Sequence, residues 1–276
     1  MGAVQRTLNA AQIRERHQHA REVIRQAGTL ALEYFGRRED LVVRSKGRHD
    51  LVTEADGAVE EFIRESILRA FAQDAVLGEE SGASGSTPTE PLWVIDPIDG
   101  TQEFARGTRN WCVVIALVDG SGCASGLVFD PNADELFEAC RSEPALLNGK
   151  QVSPSSATSL TEGVVTLEYS PRQPKSAILG AMERLIDAGG TFVRGGSGAL
   201  GIVHVSCGRS LGFAEAHMQP WDCIAAMHVV SQAGGRCNDF IGEGSMAAGG
   251  PVIAAAPALF EQVSALLDPT PVAEAK

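Results

Sequence analysis

The stretch WVIDPIDGT, from Trp93 to Thr101, contains the most informative pattern in this chain. The apolar run Leu92 to Ile95 predicts a short buried strand, and two carboxylates, Asp96 and Asp99, follow it at once. A proline between them restricts the backbone, and the glycine that follows gives it freedom to turn. We therefore predict that this turn directs two acids, a backbone carbonyl and a hydroxyl toward a divalent metal ion next to a phosphate group.

Further acidic residues follow or open other predicted elements. Glu79 and Glu80 come just after a predicted short strand, and Trp221-Asp222 opens a predicted helix. The acidic segment DLVTEAD, from Asp50 to Asp56, lies upstream of them all. Oxygen ligands without His or Cys favour hard cations such as Mg²⁺ or Mn²⁺ over zinc. Carboxylates gathered from several strand ends fit a two-metal site with ions about 3.5–4 Å apart, in which Asp96 could bridge both ions.

The same segments allow a plainer interpretation. Asp-Pro and Asp-Gly are common turn dipeptides, and paired glutamates usually lie on a solvated surface. Taken alone, residues 96–101 therefore fit an ordinary turn as well as they fit a metal site. The placement of several acids at strand ends favours the metal site but leaves the reaction open.

Gly100 and Thr101 have the properties of a phosphate-binding turn. If a helix or turn begins here, its free N–H groups can donate to phosphate oxygens. Gly100 would allow a close approach of the backbone, and the Thr101 hydroxyl could orient an attacking water. The alternative is that Thr101 only caps a helix, and the two roles are compatible.

Composition argues against several classes of partner. The formal net charge of −12 disfavours binding of nucleic acid or of an anionic membrane, since both attract basic surfaces. No apolar run approaches the about 18 residues that predict a membrane span, and the first residues contain arginines without an apolar signal segment. The six cysteines are scattered without a C-x-x-C pair and are expected to be reduced thiols. We therefore expect a cytoplasmic protein.

Helical and strand patterns alternate irregularly along the chain. Apolar spacing predicts a helix from Asn9 to Phe35 and a second helix with Asp56 as its N-cap. Asn148-Gly149 predicts a tight turn. Further strands are predicted at 75–77, 92–95, 112–118, 126–129, 135–139 and 164–167, and further helices at 175–188, 199–207, 222–233 and 257–267. This order favours a layered α/β or α+β fold, and 276 residues suffice for one large domain or two packed lobes.

Four ordered motifs make the sequence resemble the inositol monophosphatase family of magnesium-dependent, lithium-sensitive phosphatases. The motifs are Asp50–Asp56 (DLVTEAD), Gly78–Ser81 (GEES), Trp93–Phe104 (WVIDPIDGTQEF) and Pro220–Gly235, which begins PWD and ends AGG. The likeness covers roughly residues 10 to 265. It implies a layered αβαβα sandwich of the sugar-phosphatase type and usually a homodimer. It also implies one phosphatase domain over residues 1–276, with lobes of about 1–145 for the metals and phosphate and 146–276 for the substrate side.

The resemblance implies a role for each matching residue. The residues of a first metal site would be Glu79, Asp96 and the Ile98 carbonyl. Those of a second would be Asp96, Asp99 and Asp222, and Glu79 could share a third, weaker ion. The residues that position and deprotonate the metal-bound water would be Glu80 and Thr101, supported by Asp56 and Thr53. The groups near the phosphate would be the N–H groups of Gly100 and Thr101 and, from a mobile loop, Lys46. Two or three Mg²⁺ ions are the implied cofactor, with Mn²⁺ as an alternative.

On the substrate side, the resemblance assigns Gly196, Gly198, Glu215 and the Asp99 carboxylate. Glu215 would contact substrate hydroxyls and is our first candidate for specificity, whereas the glycines fit a plain strand-to-helix turn equally well. Gly201 stands where many members carry an aspartate. His228 is expected to be a core or interface histidine with satisfied hydrogen bonds rather than a ligand.

The first functional hypothesis is a Mg²⁺-dependent phosphomonoesterase of a small polyol phosphate, with inositol 1-phosphate as the first candidate substrate. Histidinol phosphate and fructose 1,6-bisphosphate are alternatives on the same scaffold. The least favoured is 3′-phosphoadenosine 5′-phosphate, because no adenine-stacking aromatic stands out between Gly195 and Glu215. An alternative of another class is a non-catalytic regulatory or binding protein that retains the fold, since some bacterial relatives contact the transcription machinery. The intact metal-ligand positions favour the enzyme.

Overall fold

Helices and strands alternate along the chain in an irregular order, as the sequence predicts. A computed structural model of the chain describes residues 5–41, 43–47, 50–84 and 89–267, and for residues 40, 43–47, 50 and 51 it describes the backbone alone. The α-helices among these residues are α1 (Ala10–Gly36), α2 (Glu54–Ala70), α3 (Thr101–Arg106), α4 (Lys175–Asp187), α5 (Gly198–Ser206), α6 (Pro220–Gln232), α7 (Ser245–Ala248) and α8 (Phe260–Ser264). The strands are β1 (Val43–Gly47), β2 (Asp50–Thr53), β3 (Ala75–Gly78), β4 (Gly82–Ser84), β5 (Leu92–Asp99), β6 (Cys112–Asp119), β7 (Gly122–Asp130), β8 (Glu135–Cys140), β9 (Leu146–Leu147), β10 (Lys150–Gln151), β11 (Val164–Leu167), β12 (Thr191–Val193), β13 (Gly212–Met218), β14 (Arg236–Cys237) and β15 (Gly250–Ala255).

Two sheets contain most of these strands. The larger has eight strands in the order β10-β9-β8-β7-β6-β5-β3-β4. Its neighbouring strands are antiparallel except for β3 and β5, which run parallel. The smaller sheet has five strands in the order β12-β11-β13-β15-β14, and β1 pairs with β2 separately.

Strand β6 shows why the larger sheet lies between two helical layers. Every residue of β6 is buried, and its side chains alternate between two apolar clusters. Val113 and Ile115 belong to the cluster that contains α1 and α2. Val114 and Ala116 belong to the cluster that contains α5 and α6. Because successive side chains of a strand point to opposite faces, each face of this sheet is covered by a pair of helices.

The five-stranded sheet adds the remaining layers. Phe213 of β13 packs in the cluster of α5 and α6, whereas its neighbour Ala214 packs with α4 and α8 on the opposite face. The layers therefore run helix, sheet, helix, sheet, helix. This arrangement confirms the predicted αβαβα sandwich, and it places α6 between the two sheets.

Local structure corrects two predictions and confirms a third. Strand β5 continues through the carboxylates to Asp99 instead of ending at Ile95. The N-cap of α2 is Thr53 rather than Asp56. The Asp56 carboxylate instead completes a capping box, because it accepts a hydrogen bond from the Thr53 N–H at 2.7 Å. The turn at Asn148-Gly149 is confirmed, with φ of 49° and 76° between β9 and β10.

Three other expectations concern the cysteines, the membrane and one histidine. All six cysteines are free thiols, as predicted. None of the helices in the described ranges has the length and apolar character needed to cross a bilayer. The prediction for His228 is wrong in part: the residue is 8% exposed, but its Nε2 has no hydrogen-bond partner among the described residues.

Candidate active site

Three of the predicted metal ligands meet at one point. Asp96, Asp99 and Asp222 each offer a carboxylate oxygen, and these oxygens lie within 4.8 Å of one another. The first two come from the carboxyl end of β5, and the third from the first turn of α6, which begins with Pro220. Within the part of the chain that the structure describes, this is the one group of three or more His, Cys, Asp or Glu side chains that comes this close.

A β-bulge brings the first two carboxylates together. Residues three positions apart point to opposite faces of a regular strand, so Asp96 and Asp99 would otherwise diverge. In the structure Asp96 lies opposite Val114 and Asp99 lies opposite Cys112, so that three steps along β5 match two steps along β6. The extra residue redirects the side chains that follow it. The Ile98 N–H donates to Asp96 Oδ1 at 3.0 Å within this bulge.

The surroundings of the three carboxylates disfavour negative charge. Burial raises the pKa of Asp96 well above its usual value, and the charges of Glu79, Asp99 and Asp222 raise it further. Burial also raises the pKa of Asp99 to about 6 and that of Asp222 to about 7. A bound divalent cation would compensate this repulsion. Since the ligand atoms are all oxygens, the residues present fit Mg²⁺ or Mn²⁺.

Glu79 and Glu80 lie on the turn after β3, and Glu60 of α2 anchors this turn. The Glu60 carboxylate accepts the N–H groups of Glu80 and of the next residue at 2.7 and 3.0 Å. Glu60 is fully buried and forms an ion pair with Arg64 at 3.0 Å. The charge of Glu79 raises the pKa of Asp96, so the turn lies within electrostatic reach of the cluster.

Sequence reasoning missed Glu60. Two features of the sequence point to it. Glu60 is a charged residue between the apolar helix positions Val59 and Ile63, and Arg64, a possible ion-pair partner, follows four positions later. A second signal is Gly78, because a Cβ added there would lie 2.4 Å from the Glu60 carboxyl carbon. Neither signal indicates the function of Glu60 without the fold.

Thr101 lies next to the cluster and within hydrogen-bond distance of Asp56, as the motif match implies. Its Oγ1 is 3.1 Å from Asp56 Oδ1 and 3.0 Å from the Ile98 carbonyl oxygen. Thr53 holds the other oxygen of the same carboxylate, because its N–H and its hydroxyl donate to Asp56 Oδ2 at 2.7 and 2.6 Å. Burial raises the pKa of Asp56, and the Thr53 hydrogen bonds act in the opposite direction. The Thr101 hydroxyl can therefore donate to Asp56 and still accept a hydrogen bond from water.

Gly100 occupies a position that requires glycine. Its φ is 98°, in the left-handed region where other residues are strained. An added Cβ would also lie 2.9 Å from the Asn110 carbonyl oxygen. Gly100 is the N-cap of α3, so its N–H and that of Thr101 lie at a helix start beside the carboxylates.

A cavity of about 400 Å³ adjoins the carboxylate cluster. Its lining includes two cluster members, Asp99 and Asp222, and the three other predicted substrate-side residues, Gly196, Gly198 and Glu215. Burial raises the pKa of Glu215 well above its usual value, and the nearby charge of Glu168 raises it further. The structure thus brings the predicted metal side and the predicted substrate side into one cavity.

Glu168 also lines this cavity, and sequence reasoning missed it. Its Oε1 accepts the N–H groups of Gly195 and Gly196 at 2.7 and 2.8 Å, and its Oε2 lies 3.4 Å from Arg194. Because Gly196 has a φ of 88°, this contact stabilises an unusual backbone turn on the substrate side. The only sequence signal is an acid directly after β11, at a strand end like those of the other acids.

Asp99 connects the cluster to the substrate side. Its Oδ2 accepts the Ser197 hydroxyl and, at 2.8 Å, the Ala199 N–H at the start of α5. Lys46, by contrast, lies in β1, and its side chain falls outside the described residues. The predicted role of Lys46 therefore stays a prediction.

Comparison with known proteins gives consistent matches over most of the chain. A profile of the inositol monophosphatase family matches residues 12–269. The Nus factor SuhB of Pasteurella multocida is 34% identical over 247 residues, which cover 89% of this chain and 92% of that protein. The Nus factor SuhB of Xylella fastidiosa is 35% identical over 220 residues, or 79% of each chain.

Solved structures agree with this assignment. The extragenic suppressor protein SuhB of Bartonella henselae superposes with a TM-score of 0.85 at 26% identity, covering 92% of this chain and 98% of that chain. An inositol monophosphatase from Anabaena (Nostoc) superposes with a TM-score of 0.81 at 28% identity, covering 94% and 98%. Matched in sequence over nearly its whole length and in fold by these structures, the chain belongs to the inositol monophosphatase family.

Proposed function

We propose that the chain is a metal-dependent phosphomonoesterase that hydrolyses a small phosphorylated polyol by attack of water. The observation that carries this proposal is the meeting of Asp96, Asp99 and Asp222 next to the Thr101–Asp56 hydrogen bond. Metal-assisted phosphate hydrolysis needs a cluster of hard oxygen ligands and a group that orients water. The carboxylate cluster supports the first role, and the Thr101–Asp56 hydrogen bond supports the second.

The residues that would hold two or three Mg²⁺ ions, or Mn²⁺, are Glu79, Asp96, Ile98 through its carbonyl, Asp99 and Asp222. When bound, such ions lower the pKa of coordinated water and offset charge on the phosphoryl oxygens. Asp96 is the best candidate for a shared ligand, because its pKa responds to Glu79, Asp99 and Asp222 together.

The remaining residues act on the water and the phosphate. The Thr101 hydroxyl would donate a hydrogen bond to Asp56 and accept one from the attacking water. The second hydrogen bond would fix the direction from which the water attacks. Glu80 would accept the proton that this water loses. The N–H groups of Gly100 and Thr101 would bind phosphate oxygens, and Lys46 would add a positive charge near them.

On the substrate side, Glu215, Asp99, Gly196 and Gly198 would contact the hydroxyls of the polyol. Inositol 1-phosphate is the first candidate substrate. Gly201 bears on this assignment, because an added Cβ would lie 2.9 Å from Thr166 Cγ2 and 3.0 Å from the Phe213 ring. The aspartate that many family members carry there would need a different local packing, so histidinol phosphate and fructose 1,6-bisphosphate stay as alternatives.

A phosphate-release panel tests the proposal. The purified protein is assayed with Mg²⁺ on inositol 1-phosphate, histidinol phosphate, fructose 1,6-bisphosphate and 3′-phosphoadenosine 5′-phosphate, with and without Li⁺. We expect release from a polyol phosphate that requires the metal. Failure to release phosphate from every substrate, with Mg²⁺ or Mn²⁺, would remove the enzyme assignment.

A second candidate function follows from the names of the relatives. Two proteins that are 34% and 35% identical to this chain carry the name Nus factor SuhB, and from this name we infer a role beside the transcription machinery as the alternative. With a net charge of −12, this chain would contact a protein of the transcription machinery rather than nucleic acid. The test measures binding to purified RNA polymerase. An Asp99→Asn variant that releases no phosphate but still binds the polymerase would support this function separately from catalysis.

We further propose a cytoplasmic homodimer built from single-domain subunits. Leu179 and Ile186 of α4 are 55% and 59% exposed, and seven positions separate them, so they lie on one face of the helix. Val193, 49% exposed, lies on β12 at the edge of the five-stranded sheet. These exposed apolar residues favour a second copy at this surface.

The proposed lobes are residues 1–145 and 146–276. They approximate the two sheets, although β9 and β10 extend the larger sheet to residue 151.

A further inference from the structure

The segment 194–199 forms one wall of the cavity next to Asp99. It follows β12 and leads into α5, and its residues Arg194, Gly196 and Gly198 line the cavity. A Cβ added at Gly198 would lie 4.0 Å from Glu215 Oε2, so this wall adjoins the carboxylate that we propose as a substrate contact. We call residues 194–199 the glycine wall. Its position relative to Glu215 sets the space for the leaving group of a substrate.

Asp99 holds the carboxyl end of the glycine wall. Its Oδ2 accepts the Ser197 hydroxyl and, at 2.8 Å, the Ala199 N–H. Ser197 also caps α5, because its Oγ accepts the Leu200 N–H at 3.3 Å. Ser197 and Ala199 are both buried. This end of the wall is therefore fixed to the carboxylate cluster and to a buried helix.

Glu168 holds the amino end of the glycine wall. Its Oε1 accepts the N–H groups of Gly195 and Gly196 at 2.7 and 2.8 Å, so a single oxygen satisfies two successive backbone donors. Two successive N–H groups that converge in this way are an anion-binding arrangement of the backbone. Asn110 adds a contact from another segment, since its Nδ2 donates to the Gly195 carbonyl oxygen at 2.8 Å. The left-handed turn at Gly196, with a φ of 88°, is thus held by side chains.

The backbone of Glu168 is fixed to the strand that carries Glu215. The Glu168 N–H donates to the Ala214 carbonyl oxygen at 3.2 Å, at the end of the parallel pairing of β11 with β13. Ala214 directly precedes Glu215 in the chain. Glu168 is therefore attached through its backbone to the strand of Glu215 and through its carboxylate to the glycine wall. It connects the two parts of the proposed substrate side.

Burial and charge strengthen the contact between Glu168 and the turn. The residue is 6% exposed. Burial raises the pKa of its carboxyl group, and the N–H groups of Gly196 and Gly195 and the charge of Arg194 act in the opposite direction. Arg194 Nε lies 3.4 Å from Glu168 Oε2, on a side chain that is 48% exposed. Because hydrogen bonds to a charged acceptor are roughly twice as strong as neutral ones, withdrawal of this acceptor would weaken the hold on the turn.

We propose that Glu168 is a positioning residue that sets the substrate specificity of this site. It acts through Gly195 and Gly196, and it fixes the gap between the glycine wall and Glu215 that receives the leaving group of the phosphate ester. This inference rests on the proposed phosphatase function. A change at Glu168 should therefore alter the binding of a polyol phosphate, whereas the reaction at its phosphate group keeps its rate.

Two conservative substitutions separate the acceptor from its charge. Glu168→Asp keeps the charge but withdraws the oxygen by one methylene group. It should raise the KM for inositol 1-phosphate at least about tenfold, the loss of about 1.4 kcal/mol of binding, with an unchanged kcat. Glu168→Gln loses the charge but keeps a carbonyl oxygen for both N–H groups, so its KM should stay within about threefold of the native value. If inositol 1-phosphate is not hydrolysed, the member of the phosphate-release panel that the native protein hydrolyses fastest takes its place.

A second substrate and a second glutamate serve as controls. On para-nitrophenyl phosphate, whose leaving group has no hydroxyls for Glu215, Glu168→Asp should keep both KM and kcat. Glu162→Asp is the matched variant, because Glu162 Oε1 also accepts two successive N–H groups, those of Thr158 and Ser159, at 2.9 and 2.8 Å. Glu162 is not among the described residues that line the cavity, so this variant should keep the native KM. A native KM in Glu168→Asp, or a larger KM in Glu168→Gln than in Glu168→Asp, would overturn the proposal.

Amide hydrogen exchange tests the hold on the turn without any substrate. The N–H groups of Gly195 and Gly196 should exchange at least about tenfold faster in Glu168→Asp than in the native protein, and at nearly the native rate in Glu168→Gln. Unchanged exchange in Glu168→Asp would refute the positioning role. The outcomes also separate this inference from the proposed function. A native protein that hydrolyses no member of the panel removes both, whereas an active native enzyme whose KM does not respond to Glu168→Asp removes this inference alone.

Discussion

Asp99 makes contacts on three sides, which makes it the most informative residue to change. It belongs to the carboxylate cluster, lines the substrate cavity, and accepts hydrogen bonds from Ser197 and Ala199. An asparagine of the same shape could keep the hydrogen bond from Ala199 but would remove one negative charge from the cluster. Substitution therefore separates charge from packing.

Asp99→Asn is expected to lower kcat for phosphate release by at least about 100-fold, because a proposed metal ligand and its charge are lost. The fold should be kept, with an unchanged circular dichroism spectrum. Asp134→Asn is the matched control, since Asp134 is an exposed aspartate with a single ion pair to Arg25. Turnover retained by Asp99→Asn would contradict the two-metal assignment.

The raised pKa values of Asp99 and Asp222 predict how stability depends on pH without metal. Their folded-state pKa values, about 6 and about 7, lie above the ordinary value of 3.8. Between about pH 4 and pH 7 the folded state therefore binds more protons than the unfolded state, so these groups make stability fall as pH rises. Urea unfolding in EDTA should show this trend, and Asp222→Asn should weaken it.

Divalent cations should reverse the same trend. Bound Mn²⁺ replaces the protons, so the same Mn²⁺ concentration should stabilise the protein more at pH 8 than at pH 5. At 100 times the Kd that applies at pH 8, the stabilisation at pH 8 should be about 2.7 kcal/mol. The free energy of unfolding at each pH, with and without Mn²⁺, provides the measurement. Equal stabilisation at both pH values would show that the cation binds away from these carboxylates.

At the scale of single elements, the acids of β5 show what sequence could and could not predict. The apolar run and the acids at its end were enough to predict that the β5 carboxylates belong to an acidic cluster, since burial and strand-end placement are local patterns. The bulge was not predictable, because it depends on pairing with Val114 and Cys112, which are distant in the chain. For the same reason Asp56 was assigned as an N-cap, although Thr53 caps the helix and Asp56 turns back to it.

The anchoring of the Glu79–Glu80 turn by Glu60 was also invisible in the sequence, and it can be tested. Glu60→Gln loses the ion pair with Arg64 and places an amide donor against one of the two N–H groups that Glu60 now accepts. We expect a loss of about 1–3 kcal/mol in stability and about tenfold weaker Mn²⁺ binding, because the turn is no longer held. Calorimetric titration with Mn²⁺ measures the second effect.

The control for Glu60 is on the same helix. Glu61→Gln changes an exposed glutamate of α2 and should leave both stability and Mn²⁺ affinity unchanged. A Glu60→Gln variant that loses stability but binds Mn²⁺ normally would restrict Glu60 to a structural role. Parallel losses would establish it as a positioning residue for the metal site.

At the scale of the whole molecule, the layers explain why residues from distant parts of the chain meet. The carboxyl end of β5 lies in the larger sheet, and α6 lies in the helical layer between the two sheets. Asp222 thus reaches Asp96 and Asp99 from the middle layer. The middle layer therefore completes the carboxylate cluster that β5 begins.

The exposed apolar residues of α4 and β12 lead to the last prediction, which concerns the proposed homodimer. Light scattering after size exclusion should give twice the mass of the 29.1 kDa chain. The double variant Leu179→Glu with Ile186→Glu places two charges on the exposed apolar face of α4 and should give the monomer mass, because buried unpaired charges are costly. Leu32→Glu alters an apolar residue of similar type on α1, 37% exposed, and should stay dimeric. A monomeric native protein would contradict the dimer, whereas a dimeric double variant would move its interface away from α4.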